Sequence, residues 1–238
     1  MEVRSFPDAA ACYDTVSPLL LQREAEYGLM IGVLLQLREA EGAGASSEPA
    51  LLRVVSGGGQ VLAAAVRTPP GYLMITRASE TAVLALVEHL WADGIALPGV
   101  SGPCDSASTF ARAWSERTGR DSALKATERI YCIREVIAPD VSGHAEVARG
   151  ADHDLLLAWW LAASGDDNAA YVQRRIDERS ALLWKDPAPV SMASVTRPTP
   201  HGIGIGGVYT PPESRRRGYA SAVVAALSQR QLDAGRRF

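Results

Sequence analysis

The stretch Val208-Tyr-Thr-Pro-Pro-Glu-Ser-Arg-Arg-Arg-Gly-Tyr-Ala220 says more about the fold than any other part of this 238-residue chain. It leads from an apolar strand, through a turn with two prolines and three arginines, to a helix that starts at Tyr219. The first N–H groups of a helix have no partner inside the helix, and the helix dipole adds partial positive charge there. Gly218 lacks a Cβ, which lets a ligand approach the main chain closely. The segment therefore predicts an anion-binding loop to which the arginines add charge.

The spacing of Arg215, Gly218 and Ala220 resembles the Gln/Arg-x-x-Gly-x-Gly/Ala signature of the GCN5-related N-acetyltransferase family. In that family this segment binds the pyrophosphate of acetyl-coenzyme A, and the preceding strand pairs with the pantetheine arm. The resemblance thus implies acetyl-CoA as co-substrate. The cofactor-binding residues that it implies are Val208, Tyr209, Thr210, Arg215, Arg216, Arg217, Gly218, Tyr219, Ala220 and Ser221.

The resemblance also implies a role for each part of this set. The backbone of Val208, Tyr209 and Thr210 would pair with the pantetheine amides, as an added strand does. The N–H groups of Arg216 through Ser221 would hold the pyrophosphate, while Arg215 and Arg217 would add charge-assisted contacts. A main-chain N–H near Val208 or Tyr209 would polarise the thioester carbonyl.

Two other interpretations of the arginine run remain open from the residues alone. It could be a surface turn that caps an ordinary helix, or it could contact the phosphates of a nucleic acid. The net charge of −3 and the lack of a broad basic stripe argue against nucleic-acid binding.

Composition favours a cytoplasmic protein with no membrane segment. No apolar run reaches the length needed to span a bilayer, and the first residues lack the pattern of a signal peptide. Cys12, Cys104 and Cys132 are odd in number and widely spaced, so we expect buried or half-buried thiols and no disulfide framework. The four histidines have no metal-ligand spacing, so no metal site is expected.

Two stretches of the chain follow a similar pattern. Residues 60–76 and 189–207 both predict a hairpin with a Pro-containing turn. A helix follows each hairpin, from Thr81 to Asp93 and from Tyr219 to Asp233. A glycine comes after the end of each helix, Gly94 after the first and Gly235 after the second. This self-similarity predicts two related copies, residues 1–138 and 139–238. The expected fold class is α+β, with a mixed, mostly antiparallel twisted sheet flanked by helices in each copy.

The two copies differ at the loop and at their ends. The first copy passes from Arg77 to its helix through Ala78-Ser79-Glu80, without the arginine–glycine segment, and is interpreted as degenerate. It continues with a strand from Ile95 to Val100, a helix from Ser106 to Thr118 and final strands from Ala123 to Val136. The second copy ends at Phe238, and we expect it to lack the corresponding strands and helix. In the resembled family that portion carries a Tyr that often protonates the departing thiolate.

The rest of the second copy predicts helices from Asp152 to Ala163 and from Ala169 to Arg179. Strands are expected from Ser180 to Trp184 and from Val190 to Thr196. The aromatic residues of the two helices either line an acceptor pocket or pack in the core, and the sequence leaves both open. They are Trp159, Trp160 and Tyr171.

The leading hypothesis is an acyl-CoA-dependent N-acyltransferase that acetylates an amine of a small molecule or peptide, with a homodimer left open. The alternatives are a non-catalytic coenzyme A binding or sensing module and a plain interaction protein. The catalytic residue is not determined. Tyr209 and Glu213 are the candidates, although Glu213 is also expected to cap the turn or to pair with a neighbouring arginine. His201 is expected at a hairpin tip, too far from the reaction.

Overall fold

The computed structural model describes residues 1–44 and 49–238, which divide into two compact units, Met1–Ile130 and Tyr131–Phe238. The boundary that we predicted between the two copies, after residue 138, lies in the irregular stretch at the start of the second unit. Each unit has its own sheet and its own clusters of buried apolar residues.

The first unit is built on a five-stranded sheet with the order β1-β2-β3-β4-β5. All neighbouring strands are antiparallel except β4 and β5, which are parallel. In chain order the elements are β1 (Glu2–Ser5), α1 (Ala9–Leu21), α2 (Gly28–Gly42), β2 (Leu51–Gly57), β3 (Gln60–Arg67), β4 (Leu73–Ile75), α3 (Glu80–Ala92), β5 (Val100–Ser101) and α4 (Cys104–Thr118).

The second unit is built on a four-stranded antiparallel sheet with the order β6-β7-β8-β9. Its elements are β6 (His144–Val147), α5 (His153–Ser164), α6 (Ala169–Asp177), β7 (Ala181–Lys185), β8 (Pro189–Pro198), β9 (Ile203–Tyr209) and α7 (Tyr219–Asp233).

Both units begin with the same order of elements, a strand, two helices, three strands and a helix. The hairpins predicted in both copies are confirmed as β3–β4 and β8–β9. Gly94 and Gly235, just after α3 and α7, have φ values of +67° and +89°. This left-handed conformation favours glycine and ends a helix, as the sequence predicted.

The sheet of the second unit is covered by helices on both faces. One cluster of buried residues joins Leu156 of α5 and Val172 of α6 to Leu183 and Met192 of the sheet. The other cluster lies on the opposite face of the sheet, where Val223 and Leu227 of α7 pack against Leu182, Ala193 and Val195 and bury them. Val223 and Leu227 are four residues apart and so lie on one side of their helix.

The strands predicted from Ala123 to Val136 are wrong, because residues 120–143 contain no helix or strand. A β-prone sequence becomes a strand only when a neighbouring edge accepts its hydrogen bonds, and no such pairing forms here. Consequently Leu124 and Tyr131 are largely exposed. Of the strand predicted from Ile95 to Val100, only the last residue lies in a strand, the two-residue β5.

The cysteine prediction is correct for Cys12 alone. Cys12 is buried, and burial raises the pKa of its thiol to about 11, with a smaller contribution from Asp8. Cys104 and Cys132 are exposed, which contradicts the expectation of buried thiols. Over the described residues, no helix combines the length and apolarity needed to cross a membrane.

Candidate functional site

The predicted anion loop lies between β9 and α7. After Tyr209 the chain makes a short 3-10 turn at Pro212–Ser214, passes through an extended Arg215 and enters α7 at Tyr219. Arg216 and Gly218 have left-handed φ values of +63° and +84°. Left-handed residues alternating with residues of negative φ produce concave main-chain loops whose N–H groups bind anions.

The main-chain donors of this loop are not used by the protein. Within residues 1–44 and 49–238, no acceptor is assigned to the N–H groups of Arg216 through Ser221. The first helical bond runs from the N–H of Ala222 to the carbonyl of Gly218, at 2.9 Å. Residues 215–218 and Ser221 are exposed, whereas Ala220 is half-buried and Tyr219 is buried. We call the N–H groups of residues 216–221 the amide cradle.

The corresponding helix start in the first unit is capped by the protein itself. The hydroxyl of Ser79 accepts from the N–H of Ala82 at 3.3 Å. The N–H of Ala78 donates to the hydroxyl of Ser106 at 3.0 Å, and the N–H of Arg77 donates to the hydroxyl of Tyr27 at 3.1 Å. In the first unit, side chains thus accept hydrogen bonds from main-chain N–H groups whose counterparts in the second unit have no acceptor among the described residues.

The reason for glycine at position 218 differs from the one expected. A Cβ at Gly218 would lie 2.7 Å from Cγ2 of Val141, so it would clash with the protein. The left-handed φ is a second reason. Gly218 therefore shapes the loop from within, and access for a phosphate does not explain it.

Arg215 is committed to the loop as well. Its Nε donates to the carbonyl of Thr210 at 2.9 Å, and its guanidinium carbon lies 5.9 Å from the centre of the Tyr209 ring. The hydroxyl of Thr210 is in turn 2.8 Å from that of Ser191 on β8. This side chain braces the turn, and only its remaining N–H groups are available to a phosphate.

The Tyr219 side chain anchors the start of α7. It is buried, and its hydroxyl donates to Oδ2 of Asp186 at 2.5 Å. The hydroxyl of Ser142 donates to the same oxygen at 2.6 Å. These two bonds, that of Ser142 first, hold the pKa of Asp186 below its usual range, and the Asp186 bond raises the pKa of Tyr219. Only the main chain of Tyr219 is therefore free to contribute to the cradle.

Strand β9 contains a bulge where the reaction is expected. Met192 pairs with Tyr209 and Ser194 with Gly206, so three steps along β9 match two along β8. Gly207 lies in the bulge, and its left-handed φ of +58° accommodates the extra residue of β9. Val208 is exposed, and β9 has β8 as its only neighbour among the described strands, so its other edge is open.

The bulge determines the direction of Tyr209. Ile203 and Ile205 pack against the α7 side of the sheet, whereas Tyr209 packs with the cluster under α5 and α6. Regular alternation would put residues 205 and 209 on the same face. The Tyr209 ring lies 5.9 Å from that of Trp159.

Glu213 does not make the contact expected of it. Its side chain is exposed in the 3-10 turn, and within the described part of the chain no ion pair or hydrogen bond of its carboxylate is found. The neighbouring arginines 215 and 217 contact aromatic rings instead, those of Tyr209 and Tyr219.

A small cleft lies between α5, α6 and the sheet, with a volume of about 20 Å³. Its lining residues are Leu156, Trp160, Tyr171, Val172, Arg175, Ala181, Met192, Ala193, Ser194 and Gly207. The rings of Trp160 and Tyr171, with centres 4.4 Å apart, form one wall. Trp159 is buried in the core. Trp160 and Tyr171 thus fit the pocket interpretation, and Trp159 fits the packing one.

Sequence reasoning missed Arg175 as a lining residue. It lies four residues after Tyr171, so both side chains project from the same side of α6. That spacing was readable in the sequence. The contribution of Gly207 was not, because it depends on the bulge.

No protein-family model and no curated protein matches the chain. Among solved structures it is similar to a GCN5-related N-acetyltransferase from Sphaerobacter thermophilus, with 18% identity and a TM-score of 0.58 over 99% of this chain and 84% of the other. An acetyltransferase of the GNAT family from Colwellia psychrerythraea matches 99% of this chain and 87% of its own, with 10% identity and a TM-score of 0.52. A third match, an acetyltransferase of the GNAT family from Bacillus cereus, is partial: the chain spans 60% of that protein's length, with 35% of its own residues, 22% identity and a TM-score of 0.32.

The chain therefore has the fold of the GCN5-related N-acetyltransferases, which confirms the expected α+β class. Both full-length matches extend over nearly all of the chain and so include both units.

Proposed function

We propose that this chain is an acyl-CoA-dependent N-acyltransferase that transfers acetyl from acetyl-CoA to an amine, with the cofactor bound to the second unit. One observation carries the proposal: the unused N–H groups of the amide cradle at the start of α7, most of which belong to exposed residues. Such donors at a helix start suit a diphosphate, and Arg216 and Arg217 add positive charge beside them.

The open edge of β9 supports the rest of the cofactor assignment. The pantetheine arm carries amides, which add to a strand edge by main-chain hydrogen bonds. Val208 and Tyr209 are on this edge, immediately before the loop. The cofactor would therefore extend along β9 and end its diphosphate on the cradle.

The bulge of β9 is where we place the thioester carbonyl. As the amine attacks the thioester carbonyl, negative charge develops on the carbonyl oxygen, and a main-chain N–H of the bulge would stabilise it. The amine loses a proton and the thiolate gains one as the C–S bond breaks. Tyr209, which the bulge directs to the same sheet face as the cleft, is our candidate for donating the proton to the thiolate.

One observation favours the non-catalytic alternative, a coenzyme A binding or sensing module. Among the described residues, those that line the cleft include no carboxylate and no imidazole, so they offer no conventional base to take the proton of the amine. An acceptor that arrives as the neutral amine has only one proton to lose on acylation, which solvent or the departing thiolate would take.

Two measurements on the full chain test the proposal. Calorimetric titration with acetyl-CoA should show binding at submillimolar concentrations, and an absence of heat there would rule out both interpretations. A thiol-release assay with a panel of amines then separates them. Release that depends on an amine supports the transferase, and binding without release from any amine supports the sensing module.

A further inference from the structure

The cleft between α5, α6 and the sheet contains two buried donors without an acceptor. Within the described part of the chain, neither Nε1 of Trp160 nor Nε of Arg175 has a hydrogen-bond partner. Both residues line the cleft. Buried N–H groups are nearly always satisfied in folded proteins, so a pair of them in one cleft indicates a missing acceptor group.

Both terminal nitrogens of Arg175 have partners in the protein, whereas its Nε has none among the described residues. Its Nη1 donates to the carbonyl of Val195 at 3.0 Å, and its Nη2 forms an ion pair with Glu178 at 3.1 Å. The side chain is 13% exposed. A guanidinium fixed in this way cannot turn its Nε to solvent, so the donor stays buried beside the cleft that Arg175 lines.

The charge beside the cleft is positive. Two guanidinium carbons lie over the ring of Tyr171, that of Arg175 at 5.1 Å and that of Arg174 at 5.6 Å. Glu178 compensates one of the two positive charges. An acceptor group that carries negative charge is therefore favoured over a neutral one.

The size and place of the cleft limit the group further. A volume of about 20 Å³ admits one small group, not a chain or a ring. Gly207 also lines the cleft, and it belongs to the bulge where we place the thioester carbonyl. A group held in the cleft would therefore be only a few bonds from the amine that reacts.

We propose that the acceptor is a small amino acid or similar amine whose carboxylate is bound by Trp160 and Arg175. This inference rests on the proposed function, since it assigns the acceptor of that reaction. The carboxylate oxygens take the Trp160 and Arg175 N–H groups, and the positive charge over Tyr171 favours the acid over its amide.

The test uses the ¹⁵N-labelled full chain and the indole N–H resonance of Trp160, which is identified by its loss in Trp160→Phe. The probes are the N-acetyl derivatives of glycine, alanine and glutamate, each compared with its amide. We expect the acids to move the Trp160 indole proton downfield with saturation, and the amides to bind about 10-fold more weakly or not at all.

Two arginine variants serve as test and control. Arg175→Gln should remove the preference for acid over amide. Arg174→Gln, which removes a neighbouring exposed charge without touching a cleft donor, should keep most of it. If Arg175→Gln is unstable, Trp160→Phe serves instead, with binding followed by calorimetry because this variant lacks the reporting resonance. Losing the indole donor should weaken the binding of the acids and leave that of the amides unchanged.

The outcomes distinguish this inference from the proposed function. If acetyl-CoA binds the same sample but no acid shifts the Trp160 resonance, or if amides match acids, the cleft takes only water and the carboxylate assignment fails. If acetyl-CoA does not bind, the proposed function fails whatever the acids do.

Discussion

The hydroxyl of Tyr219 and the carboxylate of Asp186 are joined by a 2.5 Å hydrogen bond that ties the first turn of α7 to the loop between β7 and β8. Tyr219, which the sequence analysis includes among the cofactor-binding residues, thus uses its side chain to hold the helix in place. The amide cradle includes the N–H groups of that turn, so this bond fixes donors in place before a diphosphate binds. Donors that are already arranged lower the cost of binding.

We expect Tyr219→Phe to destabilise the chain in a pH-dependent way. The bonds to Asp186 hold its pKa below the ordinary value of 3.8, so their stabilisation is fully present above that value and is lost as the pH falls through the lowered pKa. The variant should raise the pKa of Asp186 and reduce the difference in stability between pH 7 and the acid range. Urea unfolding from pH 7 to 3 measures this.

Tyr209→Phe is the matched control for stability, because within the described residues no hydrogen bond of the Tyr209 hydroxyl is found. A Tyr219→Phe stability profile identical to that of Tyr209→Phe would contradict the role of the bond.

The same Tyr209→Phe substitution tests the proton donor. We expect kcat for amine acetylation to fall about 100-fold, because a positioned acid contributes roughly this much, while the Kd for acetyl-CoA stays unchanged. Steady-state thiol release and calorimetry on one preparation give both numbers. Unchanged kcat would exclude Tyr209 as the donor.

Arg217→Gln should weaken acetyl-CoA binding, and more so at low salt, because Arg217 is exposed and its attraction to a phosphate is screened. Titrations at two ionic strengths measure the effect. Arg149→Gln is the matched control: it makes the same charge change on an exposed residue beyond the far end of β6, away from Val141 and the loop. Equal effects of the two substitutions would indicate general electrostatics and no specific contact.

Gly218→Ala should lower the free energy of unfolding by about 1–3 kcal/mol, since alanine is strained at a φ of +84° and its Cβ meets Val141. Adding Val141→Ala should recover the part due to the contact and leave the part due to φ. Urea denaturation of the single and double variants separates the two. A tolerated Gly218→Ala would contradict a left-handed Gly218 packed against Val141.

The sequence predicted the second unit well where structure is local. The predicted bounds of α7 are those observed, and α5 and α6 differ by at most two residues at either end. Caps, helical periodicity and glycine stops act within a few residues, so they can be read along the chain.

What the sequence could not provide depends on pairing across the sheet. The face of Tyr209 is set by a bulge that appears only in the register of β9 against β8. The residues from 123 to 136 have strand character but pair with no strand of either sheet, and propensity alone cannot show this. The capping of α3 by Ser106 and Tyr27 also needs residues far apart in sequence.

The central claim is that the amide cradle binds a diphosphate, and amide NMR on the ¹⁵N-labelled chain tests it most directly. On titration with coenzyme A we expect the N–H resonances of residues 216–221 to move downfield with saturation. Those of residues 77, 78 and 82, which the protein already satisfies at the start of α3, should stay in place. Saturable binding that leaves residues 216–221 unmoved, or that shifts the α3 amides instead, would contradict the account.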